Sequence, residues 1–135
     1  MSNFLGIELK NLSNGVNMDK EKIKTLIDNL EMEVNNGGFD QFFFNSAGDN
    51  AHETVEALKI IGAFHTANIV QNAINKFPNN IVPKDRYERQ DILEKVSPDC
   101  EAFEVEDKQF YEYQDNLSGL LETFLTRGKP FDDED

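Results

Sequence analysis

The chain has 135 residues, enough for one domain with an ordinary core, and its 39% hydrophobic and 29% charged content describes a globule that folds without disulfides or metal. A formal net charge of −13 opposes direct binding to nucleic acid or to anionic membranes, which call for lysine and arginine in excess. No apolar run nears the ~20 residues that span a bilayer, the opening MSNFLGIELKNL lacks a signal-peptide pattern, and Cys100 has no second cysteine to pair with, so a cytoplasmic location is expected.

Residues 1–18 are rich in Asn, Ser and Gly and read as a loose N-terminal lead-in. Asp19 is a good N-cap for a first helix, whose Ile23, Leu26, Ile27, Leu30 and Val34 recur at helical spacing. Asn35 to Gly38 stop that helix, since glycine accepts the left-handed conformation of a C-terminal cap. Phe39 to Asn45 then reads as a short helix, followed by a stop at Ser46 to Asp49. Asn50 with Glu53 makes a start resembling a capping box, and Val55, Leu58 and Ile61 give the core face of the next helix. Gly62 breaks it, and Ala67, Val70, Ala73, Ile74 and Phe77 define the second arm of an antiparallel hairpin ended by Pro78. Asp85 to Val96 reads as a helix, Ser97 to Asp99 as a turn, and Cys100 as a semi-buried small residue after it.

The final helix is expected from near Asp107, with Tyr113, Leu117, Leu120, Leu121 and Phe124 on one face and Phe110 adjoining. An earlier start would point Glu106 into the core. Asp115 and Glu122 then share the opposite face, with Glu112 alongside. Residues 127–135 form an acidic tail ending DDED, so that the helical domain is 19–126. Residues 101–135 carry 11 acidic and 3 basic side chains, which concentrates the acidity near the C-terminus. There is no internal repeat, and only Asn80 to Val82 hints at a strand.

The segment NNGGFDQFFFNSAGD, Asn35 to Asp49, sets Phe39, Phe42, Phe43 and Phe44 among glycines and turn formers. At about 100° per residue, three consecutive phenylalanines fan over roughly 200° of a helix, wider than the ~100° stripe that one helix buries. At least one therefore leaves the core-facing stripe, and a homodimer built partly on Phe39, Phe42, Phe43 and Phe44 is expected.

NGGFDQFFFNSAGD at Asn36 to Asp49, ETVEALKIIGA at Glu53 to Ala63 and TANIVQNAINKFP at Thr66 to Pro78 together resemble the bacterial DNA-mimic protein family. The resemblance is strong over Asn35 to Pro78 and only patterned from Asp85 to Leu125. It implies a small acidic all-helical dimer that occupies the DNA-binding surface of a helix-turn-helix transcription factor. The shared residues are glycine, phenylalanine and small side chains, so they mark fold and dimer rather than an acidic surface.

Catalytic motifs are scarce in the chain. His52-Glu53-Thr54-Val55-Glu56 begins like the HExxH zinc motif, but Glu56 stands where the second histidine belongs. Asp49 and Glu53 at a helix first turn simply oppose its macrodipole. No GxSxG elbow and no glycine-rich loop after a strand is present, and no cofactor is expected.

The expected fold class is all-α, a single compact multi-helix domain that dimerises. The leading reading is a non-catalytic acidic interaction module, a DNA mimic for the basic surface of a DNA-binding protein or transcription factor. Its partner-binding residues would be Glu112, Asp115, Glu122, Asp132, Asp133, Glu134 and Asp135, with Glu101, Glu104 and Asp107 in reserve. One alternative is an immunity or antitoxin protein that neutralises a basic nuclease toxin. Another is an enzyme with a site near Asp49, His52 and Glu53.

Overall fold

The computed structural model describes residues 18–127, which form six α-helices and no strand. The lead-in before Met18 and the tail beyond Arg127, including Asp132, Asp133, Glu134 and Asp135, lie outside the described residues.

Helix α1, Lys20–Phe44, starts where Asp19 accepts the Lys22 N–H at 2.8 Å and buries Ile23, Leu26, Ile27, Leu30 and Val34. Its regular backbone fails at Gly37 (φ −157°, ψ 19°) and Gly38 (φ 73°, ψ −174°), where the chain bends. Gly38 lies in the left-handed region, and a Cβ there would also sit 2.5 Å from Asp107 Oδ2. Beyond the bend the Phe39 N–H donates to Asp107 Oδ1 at 2.8 Å, so a side chain from a distant segment caps the second arm of α1.

A 3₁₀ turn, Ser46–Asn50, leads into α2, Ala51–Ile60. Gly62 (φ 89°) closes α2 with the paired bonds of a Schellman cap, Gly62 N–H to Lys59 O and Ala63 N–H to Leu58 O. Helix α3, Phe64–Ile74, returns against α2 as the expected hairpin, and a second 3₁₀ turn follows at Pro78–Asn80. Helix α4, Arg86–Val96, begins at Asp85, which accepts the Glu88 N–H at 2.9 Å, and it buries only Arg89 and Leu93.

The single final helix expected from the sequence is two helices, α5, Glu104–Tyr111, and α6, Leu117–Arg127. The separation falls at Tyr113, whose φ of 46° no helix can accommodate. Tyr113 leaves the apolar face assigned to it and donates its hydroxyl to Glu31 at 2.7 Å. Helix α5 starts at Glu104, earlier than expected, and Glu106 does turn inward. Lys76 Nζ at 3.1 Å offsets that buried charge.

Helix α1 packs on the first 3₁₀ turn, α2, α4 and α5, and α5 also meets α3. The centre is aromatic. Phe39, Phe42 and Phe43 are each 0% exposed, and Phe43 lies 4.8 Å from Phe77 and 5.3 Å from Phe103 between ring centroids. One of the three consecutive phenylalanines does leave the core: Phe44 is 51% exposed. No helix among the described residues is long and apolar enough to cross a membrane.

Candidate acidic interaction surface

The glycine–phenylalanine segment is held by polar atoms that face inward. Arg89 on α4 is fully buried; its Nε donates to Phe43 O at 2.7 Å and its Nη2 to Asn45 O at 3.0 Å. Its Nη1 donates to Pro83 O and Lys84 O, each at 3.0 Å. The Phe43 carbonyl lies at the unpaired end of α1 and the Asn45 carbonyl already accepts the Gly48 N–H at 3.0 Å, and the guanidinium fork supplies donors for both at once. Asp49 Oδ1 balances the buried charge at 2.8 Å from Nη2. Gly48 must lack a side chain here, since a Cβ would meet Arg89 Nε at 2.8 Å and two carbonyl oxygens at 2.9 Å. Buried Glu33 accepts from Gln41 at 2.8 Å and from Asn45 at 3.0 Å, tying together the two arms of the bend.

The residues of the enzyme alternative do not converge on a reacting centre. Asp49 pairs with Arg89, His52 Nε2 accepts the Val82 N–H at 3.1 Å, and Glu53 pairs with Lys84 at 2.8 Å. Burial pushes Glu53 up, but the Lys84 hydrogen bond and charge outweigh it and leave its pKa lowered. Among the described residues no group of three or more His, Cys, Asp or Glu is placed to hold a metal ion.

The acidic residues singled out in the sequence separate into different roles. Glu112 follows α5 at an exposed position and Glu122 is exposed on α6. Asp115 is not on a helix face with Glu122. Its Oδ2 accepts the Thr66 N–H at 2.7 Å and the Thr66 hydroxyl at 2.9 Å, which caps the start of α3. Of the reserves, Glu101 and Glu104 are exposed, while Asp107 is half-buried and caps Phe39. Of the four phenylalanines assigned to a dimer contact, Phe39, Phe42 and Phe43 are core, and only Phe44 reaches the surface.

A set of acids that helical periodicity did not assemble lies around an open cleft of about 590 Å³ between the α1 bend, α4 and the turn before α5. Asp40, Glu94 and Asp107 line it together with Phe44, Leu93 and Pro98. Burial raises the Asp40 carboxyl above its ordinary 3.8, against the Ser97 hydrogen bond, and the charge of Asp99 adds to the rise. Asp107 is raised by burial too, against the Phe39 N–H, and by the charges of Asp40, Glu106 and Glu104. Among the described residues Asp40, Glu94, Asp99, Glu104 and Asp107 have no ion-pair partner. Cys100, expected to be semi-buried, is exposed at the cleft with φ of 59°. The one cue in the sequence was Asp40 inside the phenylalanine segment, and its direction depends on the bend at Gly37 and Gly38.

No curated protein and no solved structure matches the chain. The model of the DMP19-like protein family matches residues 19–128, which spans all six helices. The chain therefore belongs to the DMP19-like family, a family of DNA mimics.

Proposed function

We propose that the protein is a non-catalytic acidic module that occupies the basic surface of a DNA-binding protein in place of DNA. The observation that carries this reading is the gathering of Asp40, Glu94, Asp99, Glu104 and Asp107 from four segments, none of them ion-paired to a cation among the described residues. Duplex DNA carries one charge per ~1.7 Å, and the surface that grips it is rich in arginine and lysine. Carboxylates fixed on packed helices offer such a surface a comparable field without the cost of ordering flexible side chains. Membership of a DNA-mimic family supports the same partner class. Glu112, Glu122 and the Asp132 to Asp135 tail extend the acidic surface in this reading, which also places the protein in the cytoplasm.

The test is affinity capture from native cell extract on the immobilised protein, eluted by a salt gradient. Surface charge attraction is screened within ~8–10 Å at ordinary ionic strength, so a true partner elutes as salt rises. The expected eluate contains a DNA-binding protein that added duplex DNA also releases. Captured proteins that duplex DNA cannot release would count against mimicry.

A further inference from the structure

The cleft beside the α1 bend differs from the rest of the acidic surface in having an apolar component. Phe44 is 51% exposed although Phe42 and Phe43 beside it are 0% exposed, and Leu93 and Pro98 adjoin it. A half-exposed phenylalanine ring next to carboxylates is an uneasy arrangement for water alone, since the ring orders solvent and the acids repel each other.

The polar lining is rich in acceptors as well as in negative charge. Gln41 and Asn45 each turn one amide N–H to Glu33, and Gln90 turns one to Phe44 O at 2.9 Å, so all three amide nitrogens are aimed at protein acceptors. The oxygens of those three amides accept no hydrogen bond among the described residues, and no lysine or arginine lines the cleft. Carboxylates and amide oxygens together make an acceptor-rich wall. The matching ligand is a group that donates in several directions and accepts in none.

Guanidinium is that group: it presents five donors and no acceptor, is weakly hydrated, pairs with carboxylate bidentately and stacks on aromatic rings. A lysine ammonium is a compact, strongly hydrated point charge and makes poor use of Phe44. A divalent cation is the weaker fit, because no three His, Cys, Asp or Glu side chains among the described residues are placed to hold a metal ion. A volume of about 590 Å³ falls within the ~300–1,000 Å³ typical of small-ligand sites and leaves room for a neighbouring apolar side chain.

We propose that this cleft is an anchor pocket for one arginine of the partner protein, its guanidinium between Asp40, Asp107 and Phe44 and an adjacent apolar residue against Leu93 and Pro98. The proposal rests on the reading of the protein as a binder of basic DNA-binding surfaces. It adds that recognition has a specific contact within the general field, which gives the acidic surface a register on its partner.

The experiment is a titration of the ¹⁵N-labelled full chain, followed by amide shifts, with the peptide acetyl-Leu-Arg-Leu-amide and its Lys and citrulline counterparts. The arginine peptide is expected to move the amides of Gly37, Asp40, Phe44, Gln90 and Cys100 saturably, and the other two peptides to bind far more weakly. Asp40→Asn and Phe44→Ser should each weaken it about tenfold, while Asp28→Asn on the first arm of α1, an exposed acid paired with Lys24, changes nothing. Shifts spread over Asp28, Glu112 and Glu122, or equal binding of the lysine peptide, would overturn the pocket. So would sedimentation showing a dimer that Phe44→Ser dissolves, which would give the cleft to a second copy. A captured DNA-binding protein unaffected by both cleft variants would also overturn the pocket while leaving DNA mimicry standing. Saturable arginine binding together with captured proteins that DNA cannot release would support the pocket and sink mimicry.

Discussion

Asp115 accepts two hydrogen bonds from Thr66, one from its amide at 2.7 Å and one from its hydroxyl at 2.9 Å. A carboxylate that the helical wheel places on a partner-facing surface instead joins the segment between α5 and α6 to the start of α3. The macrodipole of α3 favours this charge, and α3 has no capping side chain of its own, since Ala63 holds the N-cap position. Asp115→Ala should therefore destabilise the fold by about 1–2 kcal/mol. Urea unfolding measures that, and partner capture should stay at wild-type strength. Lost capture with unchanged stability would return Asp115 to the interaction surface.

Arg89 gives the steepest stability prediction. Its removal strands the carbonyls of Phe43, Pro83 and Lys84, leaves that of Asn45 with only the Gly48 N–H, and leaves Asp49 without its cation. Arg89→Met should cost about 3–5 kcal/mol, chiefly from the buried carbonyls it leaves without a donor, since Asp49 of the pair is itself 42% exposed. Arg89→Lys should recover little of it, because a single ammonium cannot reach carbonyls on two sides. Thermal unfolding of the two variants should fall close together and far below wild type.

The phenylalanine segment should divide sharply at its last residue. Phe43→Ala empties the centre of the aromatic cluster and should cost about 3–5 kcal/mol. Phe44→Ala, at a half-exposed position, should change stability by no more than about 0.5 kcal/mol. Equal losses from both, read from urea midpoints, would contradict the assignment of Phe44 to the surface.

Protonation separates the cleft acids from the other carboxylates. Asp40 and Asp107 have folded-state pKa values above the ordinary 3.8, so the folded chain holds protons that the unfolded chain has already released. Ionised, they lower stability at neutral pH, and that loss is withdrawn as pH falls through their raised values. Glu53 has the opposite sign: its lowered pKa contributes stability above 4.5 that disappears as pH falls through its folded value. Asp40→Asn keeps a partner for Ser97 while removing the charge. It should raise the melting temperature at neutral pH and flatten the change between neutral and mildly acidic buffer. A lower melting temperature at neutral pH would show that the Asp40 charge is stabilising.

Most of the helices were legible in the sequence because their ends are set locally. Asp19 and Asp85 cap their own helices, Gly62 closes α2, and Pro78 ends the hairpin. The break between α5 and α6 was hidden because Tyr113, Leu117, Leu121 and Phe124 keep a helical period straight through it. Asn116, whose Oδ1 accepts the Gly119 N–H at 3.2 Å, was the local cue to a fresh start. The cleft was illegible for a different reason. Asp40, Glu94 and Asp107 lie far apart in the chain, and their meeting is fixed by the angle of the Gly37–Gly38 bend and by Arg89 docking α4 beneath it. Charge composition announced an acidic protein without saying which acids are caps, which are paired and which face solvent.

The most direct test of the central claim is competition for one surface. Labelled duplex DNA is bound to the captured DNA-binding protein, and its fluorescence anisotropy is followed as this acidic chain is added at fixed salt. Full release of the DNA is expected at stoichiometric protein, with release weakened by Asp40→Asn and by Glu94→Gln. DNA that stays bound while the acidic chain also binds, as a ternary complex, would contradict that claim.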